Sequence, residues 1–191
     1  MGYLKITRCL LLCAILLFGN LAHGQSTYPT SCLNAQKQVA IQAIPKECRP
    51  DPSVYLSEAC IKKHQKQFAL GATYLIPKDV LDRFGRKLLG RADGQFVMCK
   101  KEMDKLLHKK NITIADIERT LGIPTDAWKG KVLVRIDIRE PKKLNLRIPR
   151  GTEAGANNLW IPGGKLPTGY TEGVVDQVPE GSYVETVLSI K

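Results

Sequence analysis

Lys131-Val132-Leu133-Val134-Arg135-Ile136-Asp137-Ile138-Arg139 is the segment that sets the fold class. Val132, Val134, Ile136 and Ile138 fall on one side of an extended chain, and Lys131, Arg135, Asp137 and Arg139 fall on the other. A period of two with β-branched residues at the apolar positions predicts a strand with one buried and one wet face. Leu144 to Ile148 and Tyr183 to Ile190 alternate in the same way. Gln95-Phe96-Val97-Met98, behind the turn Gly90-Arg91-Ala92-Asp93-Gly94, reads as a further short strand. Strands with one polar face belong to antiparallel sheets.

Helical patterns lie before and between these strands. Pro77 suits the first turn of a helix over Lys78–Leu88, with Val80, Leu81, Phe84 and Leu88 on one face. Lys101 to Lys110 reads as a helix through Met103, Leu106 and Leu107. Thr113 with Asp116 opens another, which Gly122 and Pro124 end. Residues 25–68 form a helical unit of their own. Asn34 to Ile44 has Val39, Ala40, Ala43 and Ile44 at helical spacing and stops at Pro45. After Pro50 and Pro52, Ser53 caps a second helix to about His64, with Val54, Leu56, Ala59, Cys60 and Ile61 to bury. Helices first, then an antiparallel sheet with inserted helices, is the α+β class.

The chain has 191 residues, 43% hydrophobic and 25% charged, a balance that excludes a disordered or low-complexity protein. Residues 1–24 read as a signal peptide: Lys5 and Arg8, an apolar run from Cys9 to Leu17, then Ala22-His23-Gly24 at a cleavage point. The expected product is secreted or periplasmic, without stable membrane insertion. Its organisation is a helical cysteine-containing segment at 25–68 and an α+β domain at 69–191. Beyond the leader remain Cys32, Cys48, Cys60 and Cys99, which predict two disulfides with three connectivities and a staple on the helical segment. Cysteine and histidine spacing gives no metal site. Net charge is +11, or +9 without Lys5 and Arg8, spread evenly along the chain. Such a surface attracts nucleic acid, anionic lipid or phosphate-bearing small molecules, and it is equally a feature of solubility alone.

Chemistry is best sought in the long loop Pro149 to Val174. From Arg147 to Gly164 it mixes glycines, asparagines such as Asn157, and Trp160 without any period. Glycine lets backbone amides approach a ligand, tryptophan offers a flat face, and Arg147 and Arg150 suit phosphate oxygens. The competing reading is an ordered loop whose tryptophan plugs the core. A second candidate joins Arg83 to Arg91, Gly94 and Phe96, where an arginine before an aromatic strand would hold a pyrophosphate. Glu153, Glu172 and Glu185 are the carboxylates nearest the loop, suited to stabilising an oxocarbenium-like centre. His64 and His108 are the imidazoles for nuclease-type acid–base work. Ser-His-Asp, Walker and thiol–histidine arrangements are not readable.

Leu89 to Met98, the two helices after it and Leu133-Val134-Arg135-Ile136-Asp137-Ile138 resemble the C-terminal toxin modules of bacterial polymorphic toxins of the contact-dependent-inhibition and Rhs types. Leu146-Arg147-Ile148-Pro149 to Trp160-Ile161-Pro162-Gly163-Gly164, with Glu172 and Asp176, continues the likeness over roughly residues 70–185. Here a signal peptide and a cysteine-containing segment precede the module in place of a giant carrier. Asp82-Arg83-Phe84-Gly85, Gly94, Phe96 and Trp160 to Gly164 are similar in order to necrotizing-toxin-type NAD glycohydrolases of the ADP-ribosyltransferase-like superfamily. That likeness implies Arg83 or Arg91 on the NAD phosphates and Phe96 and Trp160 bounding the pocket. Glu172 stands near that family's glutamine, and its histidine has no counterpart here. The resemblance implies a secreted toxin acting on NAD as substrate, with no other cofactor and with an immunity protein as partner. A ribonuclease toxin acting on RNA and a non-catalytic disulfide-stabilised binding module are the rivals.

Overall fold

Ala72–Pro77 (β1) runs through the middle of a five-stranded sheet in the computed structural model, which describes residues 32–190. The leader read at residues 1–24 lies outside the described residues. β1 pairs antiparallel with Gln95–Cys99 (β3) on one side and with Leu133–Ile138 (β4) on the other. Glu172–Val175 (β5) extends the sheet beyond β3, and Tyr183–Val187 (β7) extends it beyond β4, so the order is β5-β3-β1-β4-β7. Leu88–Leu89 (β2) and Val178–Pro179 (β6) make a separate two-stranded ribbon. The protein is α+β, with an antiparallel sheet as its core.

β1 carries no alternation because both its faces are covered. Ala72 and Tyr74 join Phe68, Val97, Val134, Ile136 and Ile138 in one apolar cluster. Leu75, its neighbour on the strand, joins Met98, Met103, Leu106, Ile117 and Leu133 in another. A strand buried on both sides reads as a continuous apolar run.

β4 confirms the period at Val134, Ile136 and Ile138, but its polar face is not wet. Arg135 pairs with Asp137 on its own strand and with Asp104 on the helix Lys100–Leu107, and Thr73 donates to Asp137. The Arg135 side chain is only 12% exposed, which mutual pairing of the charges permits. Val132 lies outside the strand and is 52% exposed; its carbonyl accepts from Lys78 N–H. Leu144 to Ile148 is not a strand: Pro141–Leu144 is a 3-10 turn, and only Arg147 pairs with Val174 beyond it.

The first helix among the described residues, Ala35–Gln42 (α1), begins at Asn34, whose side chain accepts from Lys37 N–H at 2.8 Å. The single helix expected from Ser53 to His64 is two, Pro52–Tyr55 (α2) and Glu58–Gln67 (α3). Asp51 rather than Ser53 caps α2, and Ser57 caps α3 afresh by accepting from Cys60 N–H. A Cys32–Cys60 disulfide staples this segment. Cys99 is a free, buried thiol whose pKa burial pushes up to about 11, so the four cysteines do not close two bridges among themselves. The remaining α-helices among the described residues are Lys78–Phe84 (α4), Lys100–Leu107 (α5) and Ile114–Leu121 (α6). α6 has the full capping box, Thr113 with Asp116, and ends at Gly122 in the left-handed region, φ 67°. Among the described residues no helix is long and apolar enough to cross a membrane.

Candidate functional site

The outer strand β5, Glu172-Gly173-Val174-Val175, is short, yet it lies beside β3 in strict register. Phe96 faces Val174 and Met98 faces Glu172. Alternation therefore puts Phe96 and Glu172 on the same face of the sheet. Over that face lie the C-terminal end of α6, Leu121-Gly122-Ile123, and the loop segment Gly155 to Leu159. Between sheet and cover opens a cleft of about 200 Å³ that contains Arg91, Phe96, Asn157, Leu159, Trp160 and Glu172. A pocket of about 120 Å³ shares Phe96, Leu121, Leu166 and Glu172 with it and runs inward to Thr73 and Trp128.

Five residues singled out in the sequence thus meet in one cleft, in different capacities. Glu172 is held by its backbone: its N–H donates to Gly164 O at 3.0 Å, and its carbonyl accepts from His64 Nε2 at 2.7 Å. Its carboxyl has no hydrogen bond or ion pair to the described residues. Burial first, and the charge of Glu153 second, push its pKa up to about 8. Arg91, exposed at the mouth, is likewise without an ion pair among the described residues. Phe96 is half-buried in the wall, and a β-carbon on Gly155 would come within 3.1 Å of its ring.

Asn157 and Trp160 shape the cleft. Asn157 Nδ2 donates to Gly122 O at 2.8 Å and its Oδ1 accepts from Leu159 N–H at 2.8 Å, tying the loop to the end of α6. Trp160 is buried, with Arg49 Cζ 4.3 Å from its ring centroid. The indole is therefore closer to the core-plug reading than to a ligand platform.

The other candidates lie elsewhere. Arg147, Arg150 and Glu153 line a second groove of about 320 Å³ with Asp51 and Asp93. Arg147 pairs with Asp176 at 2.7 Å, and Arg150 Nε donates to Arg49 O at 2.8 Å. Both oxygens of the buried Glu153 accept backbone N–H groups, those of Arg150 and Gly151, which makes it the anchor of a turn. Arg83 stands exposed on α4. His64 is buried and neutral, its Nε2 occupied by the Glu172 carbonyl, while His108 is exposed and bonded to Asp104 O at the end of α5. The imidazoles do not form a pair.

No family model matches the chain, and no curated protein matches it.

Sequence reasoning missed Leu121 to Ile123 as a wall of the cleft, and Gln42, Lys46 and Arg49, which donate to the carbonyls of Trp160, Ala156 and Gly151, as supports of its loop. For the wall a signal existed: a glycine closing an amphipathic helix directs the following residues back across the fold. For the supports there was none, because their partners are distant in sequence.

Proposed function

We propose that the protein is a secreted toxin or effector that breaks the bond between nicotinamide and ribose in NAD, releasing nicotinamide and passing ADP-ribose to water or to a target nucleophile. The single observation carrying this reading is Glu172: a carboxyl at the floor of an aromatic-walled cleft and an arginine at its mouth, both without a side-chain partner among the described residues. A buried carboxyl without a partner is complementary to a cation. The oxidised nicotinamide ring is a flat cation, and the dinucleotide carries two phosphates at the other end of its ribose. Ring against Phe96, positive nitrogen toward Glu172 and phosphates toward Arg91 match the three features of the cleft in order. The paired volumes, about 200 and 120 Å³, suit the ring and its ribose, with the adenosine half outside. The resemblance to necrotizing-toxin-type NAD glycohydrolases points the same way.

Binding of the cationic ring draws the proton off Glu172 and leaves a carboxylate beside the ribose. The C1′–N1 bond breaks with its electron pair going to the ring nitrogen, which leaves neutral nicotinamide. The carboxylate stabilises the positive charge that develops on the sugar. Water adds to C1′ and gives up one proton, so NAD and water yield ADP-ribose, nicotinamide and a proton.

The test is chromatography of NAD incubated with the purified mature protein. Nicotinamide and ADP-ribose should accumulate together in equal amounts, and Glu172→Gln should slow their release about 100-fold or more. If NAD is intact at micromolar protein, with no labelled target in a lysate, the reading is wrong.

A further inference from the structure

The loop that walls the cleft is gripped from behind by the stapled helical segment. Arg49 stacks on Trp160 with its Cζ 4.3 Å from the ring centroid, and its Nη1 donates to Gly151 O at 2.8 Å. Lys46 Nζ donates to Ala156 O at 2.9 Å, and Gln42 Nε2 donates to Trp160 O at 3.0 Å. Arg150 Nε returns a bond to Arg49 O. These contacts take hold at the start, middle and end of residues 151–160, the span whose Gly155, Ala156 and Leu159 border the cleft. Gly151 approaches the indole so closely that a β-carbon there would lie 2.5 Å from the ring. Ala156 N–H to Glu153 O and Trp160 N–H to Asn157 O are the loop's own backbone bonds, and on the side away from the helical segment it is held by Asn157 on Gly122 O and by Ala154 N–H on Asp93.

We propose that Arg49 is a positioning residue for the cleft, and that with Lys46 and Gln42 it makes the stapled segment a clamp on residues 151–160. A guanidinium suits this task. It is planar and weakly hydrated, so it stacks on the indole while its fork still reaches a carbonyl. Lysine keeps the charge and loses the fork. The clamp rests on the reading of the cleft as a ligand site only for its effect on activity; its effect on the loop stands alone.

Amide hydrogen exchange by mass spectrometry on the full mature chain tests the clamp. Arg49→Ala should speed exchange across residues 151–160 by about tenfold or more while β4 and α5 keep their protection. Arg49→Lys should fall between Arg49→Ala and the wild type. With NAD, Arg49→Ala should raise KM by more than it lowers kcat. Unchanged exchange at 151–160 in Arg49→Ala overturns the clamp. Should that variant fail to fold, Gln42→Ala and Lys46→Ala each remove one bond and are read in the same way. Faster loop exchange in a protein whose wild type never turns over NAD upholds the clamp and refutes the NAD reading.

Discussion

His64 Nε2, in α3, lies 2.7 Å from the main-chain carbonyl oxygen of Glu172, in β5. The carbonyl can only accept, so Nε2 carries the proton, and the buried Nδ1 has no partner among the described residues. A helix of the stapled segment thus buttresses the backbone of the candidate catalytic strand. Burial holds the imidazole below its ordinary pKa and Lys165 adds to this, while Glu102 and the bonds to the Glu172 and Gly164 backbone oppose it.

That lowered pKa gives the folded protein a defined response to acid. The unfolded chain protonates His64 as pH falls below about 6.5, whereas the folded chain resists, so stability present above that pH is lost toward the lower folded value. His64→Gln offers a similarly placed donor and does not titrate. Its melting temperature should therefore fall less than that of the wild type between about pH 6.5 and 5. Parallel curves for the two proteins would show that His64 does not titrate differently on folding.

Glu172 has the opposite sign. Its folded pKa of about 8 stands above the ordinary carboxylate value. The contribution is complete at about pH 4 and declines as pH rises through the folded value. Glu172→Gln should match the wild type near pH 4 and exceed it at pH 9 by about 1–2 kcal/mol, a few degrees of melting temperature, allowing for the cleft side of the carboxyl. Equal stability at pH 9 would mean the carboxyl is solvated or paired.

The mouth of the cleft can be closed without unsettling the core. A β-carbon at Gly155 would meet the Phe96 ring at 3.1 Å and Arg91 Nε at 3.8 Å, and Gly155 is exposed. Gly155→Val should raise KM for NAD about tenfold or more and move the melting temperature by a degree or two. Arg91→Ala should raise KM similarly and weaken the salt dependence of binding, because an unpaired surface arginine acts on phosphate through screened charge. Unaltered KM in both variants would place the substrate elsewhere.

The Cys32–Cys60 bridge closes a span of 28 residues. Replacing both cysteines by serine should cost about 3–4 kcal/mol. Calorimetry of the double variant is the measurement, and a loss under 1 kcal/mol would show that packing of α3 on the sheet holds the segment by itself.

β4 was legible because its core-facing valine and isoleucines alternate with charged residues, and α6 because Thr113, Asp116 and Gly122 mark its ends. β1 was not, since a strand covered on both faces has no polar phase to reveal it. β5 was hidden in Glu172-Gly173-Val174-Val175, four residues at the close of a long loop. Arg91, Phe96 and Glu172 could be nominated one by one, but only the β3–β5 register places two of them on one face. Glu153 looked equally apt, and its fate was decided by two backbone N–H groups in its own turn. Trp160 looked like a ligand platform until Arg49, far away in the chain, occupied its face.

The complementarity of Glu172 to a cationic ring is tested most directly by calorimetric titration at pH 7 with carbocyclic NAD, which lacks a cleavable glycosidic bond. Repeating it in buffers of different ionisation enthalpy counts protons. Wild type should release close to one proton per ligand bound, and Glu172→Gln should release none and bind more weakly. Equal proton counts for the two proteins, or no binding heat at all, would contradict the assignment of this carboxyl to the nicotinamide.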